Sequence, residues 1–533
     1  MHPPGPTGTT QPADPPPGSP GRPVAGEPHP GIVLPSHDDP VVRTGSEAVG
    51  GPIGAAAAVG RGGGWWTPLR VLLAMVFVVS GLGLLQKQPC RSEGFGAPYH
   101  FNHACYSDIP PLFFGRGLAD GEIPYIDQSE ERRVEYPVLT GGVMWLTAQL
   151  VPESGDGHSR SRWYFDVNAL AIALCAALTV FATMRLAGRR PWDAALVALA
   201  PGLVLAGTIN WDMYAVALLA CAMLAWARRR PLLAGVLLGL GAAAKFYPLF
   251  ALGPLLVLCW RAGRMRDFWR ALLGGVVAWL VVNVPVMLID FSGWAKFYRL
   301  SRERLEGFSS VWFVLDQFGH GVPDALLNPL AGGLFLLACV AIAVLALTSA
   351  RRPRLPQLLF LTVAAFLLTN KVYSPQYVLW LIPLAALARP RWRDFLVWQL
   401  AEAIHFFGIW MLLAGYPPGT ASRALDKEAY AVTVAVHVAA TLWLCWLVVR
   451  DIRRPDGDPV RADGLDDDPA GGVLDGAPDV RRYRLSRRGV HRAHPGGGSD
   501  VADPVGVGGG EPDRAVELVP DRGRSDVGRH EDE

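Results

Sequence analysis

QKQPCRSEGFGAPYHFNHACYSDIPPLFFGRGLADGEIPYIDQSEERRVEY, residues 86–136, lies between one apolar run and the next. It is a long polar loop beginning where an apolar segment stops. Within it CYSDI (105–109), GRGLADGEIPYID (115–127) and EYPVLTG, which opens at residue 135, hold several carboxylates beside apolar sequence. An acid-bearing loop flanked by apolar runs points to chemistry at a membrane face.

Outward from this loop the composition sets the class. The 533 residues are 51% hydrophobic and 18% charged, as expected of a polytopic membrane protein with polar ends, and a net charge of +2 argues against a nucleic-acid partner. Apolar runs of ~17 to 22 residues suit helices that cross a bilayer, because a helix satisfies its own backbone there. About twelve such segments are expected, some at the short limit. The expected fold is therefore all-α and polytopic, with a long first extracytoplasmic loop.

Residues 1–65 are rich in Pro and Gly, and residues 451–533 in Asp, Gly, Arg and Pro. Neither end has the apolar content to offset its chain entropy, so both are expected to be disordered cytoplasmic tails around a membrane domain at 66–450. The run at 71–85 lacks a small-residue cleavage site and reads as an anchor.

Basic residues near span ends stay cytoplasmic, which places Arg189, Arg190, Arg228 to Arg230, Arg261, Arg351 to Arg354, Arg389 and Arg450 inside. The same alternation puts the 86–136 loop, Asp212, Lys245, Lys371 and Gln376 outside, with both termini cytoplasmic. Residues 138–151 are short for a crossing and read as a helix dipping in from the outer face. KFYRLSRER (296–304) departs from the charge rule with Lys296, Arg299, Arg302 and Arg304 outside, which implies an anionic partner or a different topology.

Asp108 sits between an aromatic residue and IPPLFF, where a carboxylate can be held at the membrane edge with a raised pKa. Asp120, Glu122 and Asp127 read as solvated loop acids. Asp212 at a helix start has two readings: a cap stabilised by the helix dipole, or a group that orients an acceptor. Lys245 and Lys371 could likewise snorkel from span ends or face a ligand. Gln376, in SPQY, suits a sugar hydroxyl, although Ser374 and Pro375 also suit a turn.

Of seven cysteines, Cys90 and Cys105 alone share the outer loop, and an oxidising exterior would permit a disulfide there. His100, His103, Cys105 and Asp108 could be drawn as metal ligands, but their spacing fits no closed zinc pattern. No metal and no cofactor are expected. Glu402 and His405, three apart on one helix face, keep open a transporter of a lipid-linked or anionic substrate, with a buried hydrogen-bonded pair as the plainer reading.

CYSDI, PYID, EYPVLTG, NWDMYAVAL, GVLLGLGAAAKFYPLFALGPLL and SPQYVLWLIPL together resemble the GT-C membrane glycosyltransferases, specifically family 87, over about residues 70 to 450. That resemblance implies a GT-C-like multi-helix fold in the cell membrane, with its active site on the extracytoplasmic face. The implied donor is a polyprenyl-phosphate sugar, mannose or arabinofuranose, and the implied acceptor a cell-envelope glycan or glycolipid. It also implies inversion at the anomeric carbon without a nucleotide sugar.

Asp108 matches the first-loop acid that serves as general base in such enzymes, with Glu135 as runner-up and Asp212 as a further candidate. The chain lacks the adjacent acidic pair that some GT-C families show there. A leaving polyprenyl phosphate needs fixed cations, for which Arg299, Arg302, Arg304, Lys245 and Lys371 are available.

Overall fold

The computed structural model describes residues 31–55, 65–126, 128–416, 424–486 and 489–493. The described residues are mostly helical, with one short antiparallel hairpin among them, pairing Arg482–Ser486 with Gly489–Ala493. Among the described residues, six helices are long and apolar enough to cross a membrane: Pro68–Gln86, Gly157–Leu186, Met265–Ile289, Asp324–Thr348, Trp392–Ala414 and Lys427–Arg453. Six shorter apolar stretches accompany them, among them Asp212–Ala227, Pro231–Ala244 and Leu355–Thr369. The architecture is the all-α, polytopic one expected of a multi-pass membrane protein.

The shorter helices are interior ones. At 14 residues, Pro231–Ala244 is about 21 Å long, less than a hydrocarbon core. A helix this short is tolerable where both ends meet protein, because its unpaired backbone groups then find partners. Its closest neighbour is Met265–Ile289, packed through glycines on both helices. A Cβ at Gly235 would lie 1.8 Å from the Ala271 carbonyl, and one at Gly239 would lie 2.2 Å from the Gly275 carbonyl. Small residues here let two backbones touch.

Residues 191–206 form three short pieces: Pro191–Ala194, Ala195–Ala198 and Pro201–Ala206. Pro201 keeps Ala200 extended (ψ 124°), which ends the preceding turn. Val138–Ala148 is the short helix expected after the first loop, and Thr140 Oγ1 donates to the Ala244 carbonyl at 2.7 Å. That bond joins the first loop to the turn carrying Lys245.

The arginines of alternating connections gather at one end of the bundle, where they meet acids of the two chain ends. Arg354 grips Asp458 through Nε (2.8 Å) and Nη2 (2.9 Å), Arg261 pairs with Asp479 at 2.5 Å, and Arg189 pairs with Asp463 at 2.7 Å. Asp38 meets Arg190 at 2.6 Å and Arg391 at 3.0 Å, and Arg389 is paired with Asp451.

The expectation of disordered ends therefore needs correction for residues 31–55 and 451–481. Low apolar content argued for disorder, but aspartates complementary to these arginines supply the missing contacts. The packing is close. Gly472 has φ +61°, a Cβ there would sit 2.0 Å from the Trp226 carbonyl, and Trp226 Nε1 donates to the Gly471 carbonyl at 2.9 Å. Residues 1–30, 56–64 and 494–533 of the expected tails, and Asp127 of the loop acids, lie outside the described residues.

Candidate active site

At the other end of the bundle the connections enclose a cavity of about 930 Å³. Its wall takes Asp108 and Glu135 from the first loop, Asn210 from the next connection and Lys245 from the end of Pro231–Ala244. Arg304, Lys371 and Gln376 come from later loops. Segments far apart in sequence thus supply one chamber. Its volume sits toward the upper end of the range for small-molecule sites.

The first loop is fixed before it presents its acid. Cys90 and Cys105 are joined by a disulfide, and Lys87 Nζ donates to the Tyr106 carbonyl at 2.9 Å. Ser107 Oγ donates to the Thr208 carbonyl at 2.8 Å, and the Asp108 amide donates to the Ile209 carbonyl at 2.8 Å. The segment around Asp108 is thus sewn to residues 208 and 209.

Asp108 stands at the N-cap position of the helix Ile109–Gly115 but makes no capping bond with its side chain, and its carboxylate lines the cavity. Tyr106 Oη donates to its Oδ1 at 2.5 Å, and Asn210 Nδ2 donates to its Oδ2 at 3.4 Å. Burial lifts this carboxyl above the ordinary carboxylate range. The two hydrogen bonds and the Lys245 charge act in the opposite direction, while Asp212 adds to the rise. The result is a shielded carboxyl with lone pairs facing open volume, which suits a proton acceptor.

Glu135 also lines the cavity, but Arg116 engages both of its oxygens, at 2.6 Å through Nε and 2.7 Å through Nη2. A bidentate clamp leaves few lone pairs for a hydroxyl proton. Asp212 differs again. It is fully buried and absent from the cavity wall, with Oδ2 3.2 Å from Lys245 Nζ and Oδ1 accepting from Trp380 Nε1 at 2.7 Å. It holds Lys245.

Lys245 reaches the cavity with its Nζ 5.3 Å from the Tyr136 ring centre and 5.9 Å from that of Tyr377. Burial opposes its charge, but Asp212, Tyr377 and Asp108 together outweigh that effect, so its ammonium is held above the usual range. Lys371 is a second buried cation in the wall, donating to the Arg302 carbonyl at 2.9 Å. Burial and the neighbouring Arg304 push it below the usual ammonium range.

The basic loop divides in two. Phe291–Glu303 is a helix whose Phe297, Tyr298 and Leu300 face the cavity, while Lys296 pairs with Glu130 at 2.8 Å. Arg304 lines the cavity. Arg299 and Arg302 are exposed and do not, and Arg299 instead donates to the Ser292 carbonyl at 2.9 Å. Glu130 of the first loop therefore accounts for the placement of Lys296 in this cluster.

Gln376 is buried in the wall. Tyr106, Asn210, Tyr136, Tyr377 and Trp380 line the same chamber and were not expected. Asn210 stands two residues before Asp212, in a motif already singled out, and was the most accessible of these from sequence. Neither Glu402 nor His405 is among the lining residues, so the pair that suggested a transport path lies outside this chamber.

Residues 158–375 match the model of glycosyltransferase family 87. The match lies within the stretch over which the motifs resemble that family. The chain is also 25% identical over 206 residues to GPI mannosyltransferase 1 of Kluyveromyces lactis, covering 35% of this chain and 51% of that protein. It thus spans about half the length of this curated relative. A solved archaeal oligosaccharyltransferase from Archaeoglobus fulgidus, in complex with an inhibitory peptide and a dolichol-phosphate, covers 73% of this chain and 56% of its own. That similarity has a TM-score of 0.33 at 11% identity.

Proposed function

We propose that this chain, with residues 158–375 matching glycosyltransferase family 87, transfers a sugar from a polyprenyl-phosphate donor to a hydroxyl of a glycan or glycolipid. Mannose is the sugar favoured, because the matched yeast relative is a mannosyltransferase; arabinofuranose is the alternative. The cavity end of the bundle is assigned to the extracytoplasmic face, because the arginine-rich connections lie at the other end.

One observation carries the reading: a single chamber holds a shielded carboxyl, Asp108, together with three cations, Lys245, Arg304 and Lys371. A sugar hydroxyl is a poor nucleophile until a base accepts its proton, and a phosphate leaves more readily when its charge is matched. The acceptor oxygen forms a bond to the anomeric carbon as the bond from that carbon to the phosphate oxygen breaks. Its proton passes to Asp108, and the polyprenyl phosphate departs with the electron pair beside the cations. A one-step displacement inverts the anomeric centre.

Tyr106 and Asn210 aim the Asp108 carboxyl, and Asp212 with Trp380 aims Lys245. Arg304 and Lys371 belong to the phosphate end, and Gln376 to the sugar. Membranes containing the protein, incubated with radiolabelled polyprenyl-phosphate mannose, should form a labelled glycolipid or glycan. No transfer from any polyprenyl-phosphate sugar, with the protein present and folded, would overturn the reading.

A further inference from the structure

Outside the chamber, Glu402 and His405 of Trp392–Ala414 meet His437 of Lys427–Arg453. All three side chains are buried, at 5%, 1% and 0% exposure, and each offers one ligand atom within 4.8 Å of the others. Glu402 and His405, three residues apart, share one helix face, and His437 comes from the antiparallel neighbour. The rings of His405 and His437 are stacked with centres 4.0 Å apart.

Their polar atoms are poorly served. All four imidazole nitrogens lack a hydrogen-bond partner among the described residues, with His437 Nδ1 3.5 Å from Glu402 Oε1. Glu402 Oε1 also accepts from Trp398 Nε1 at 3.1 Å and from Thr441 Oγ1 at 3.3 Å. A buried polar group without a partner is costly, and this cluster collects four such nitrogens in one place. A hydrogen-bonded pair, the plainer reading of Glu402 and His405, is not what the structure contains.

We propose that Glu402, His405 and His437 bind a divalent transition-metal ion of the zinc class. Two neutral imidazoles and one carboxylate are a ligand set that zinc uses, whereas magnesium and calcium favour oxygen alone. The bonds from Trp398 and Thr441 orient the carboxylate as outer-shell partners do. Glu402 offsets part of the ion's charge, which matters in an interior of low polarity. Tyr373 packs on His437 with ring centres 4.7 Å apart and also lines the chamber, so the ion would pin two helices to one chamber wall. The site takes no part in the transfer step proposed above.

The test uses the full chain in detergent, stripped with a chelator and titrated with Co²⁺ while visible d–d absorption is followed. The wild-type protein should develop intense bands that saturate at a single equivalent and bleach when Zn²⁺ is added. His405→Gln and His437→Gln should each weaken Co²⁺ binding at least about tenfold. Exposed His158, changed to Gln, should leave the titration unchanged. Absence of bands in the folded wild-type chain would overturn the proposal without recourse to any variant. Equal loss in the His158 and His437 variants would also overturn it, by assigning the ion to surface histidines.

Discussion

Tyr106 Oη donates a hydrogen bond to Oδ1 of Asp108 at 2.5 Å, two residues along the same loop. The bond favours the charged carboxylate and so opposes the effect of burial on this group. Tyr106→Phe removes it without changing the ring. The Asp108 carboxyl should then titrate at higher pH, and a base must be deprotonated to act, so the acid limb of the kcat/KM profile should move upward. A limb that stays in place or moves downward would dissociate Tyr106 from the base.

Lys245 and Asp212 should behave as a unit. Asp212→Asn leaves a buried ammonium without its partner and should cost about 3–5 kcal/mol of stability. Adding Lys245→Met should recover much of that loss while leaving transfer abolished. Thermal unfolding in detergent beside a transfer assay separates the two effects. Full activity in the double variant would remove Lys245 from the phosphate site.

The basic loop should divide as its geometry does. Arg304→Gln and Lys371→Gln should lower kcat/KM for the lipid donor by about 10-fold to 100-fold, the effect of losing a charged hydrogen bond of about 1.5–3 kcal/mol. Arg299→Gln and Arg302→Gln, which face away from the chamber, should stay close to wild type. Equal losses at all four positions would point to attraction by anionic lipid headgroups instead.

Lys87 gives a prediction about pH and stability. It is fully buried, and burial alone pushes its ammonium from 10.5 down to about 7. Between these values the unfolded chain binds more protons than the folded one, so stability rises with pH across that window, and the penalty is full below it. Lys87→Met should therefore raise the Tm at neutral pH, with the gain shrinking toward pH 10.5. A Tm difference that does not change with pH would contradict this account of Lys87.

Asp108 was legible in sequence because an acid between aromatic and apolar residues in a membrane-edge loop is unusual wherever it folds. Its partner Asn210 was not, because their contact spans 102 positions and depends on how two connections pack. Arg299, Arg302 and Arg304 read as one charge cluster. Arg299 and Arg302 lie on the Phe291–Glu303 helix, whereas Arg304 follows its end with an extended backbone (ψ 133°), so the fold leaves only Arg304 of the three in the chamber wall. Asp212 was correctly placed at a helix start, but the charge that answers it, Lys245, could not be chosen from spacing. The order of residues 455–481 was missed because composition measures apolar content and not complementarity to a distant row of arginines.

The central claim is that Asp108, and not the Arg116-clamped Glu135, accepts the acceptor's proton. Single-turnover transfer from radiolabelled polyprenyl-phosphate mannose compares Asp108→Asn with Glu135→Gln, at matched amounts of folded protein. The account predicts a loss of about 10² to 10⁴-fold for Asp108→Asn and a loss within about tenfold for Glu135→Gln. Near wild-type transfer by Asp108→Asn would contradict it.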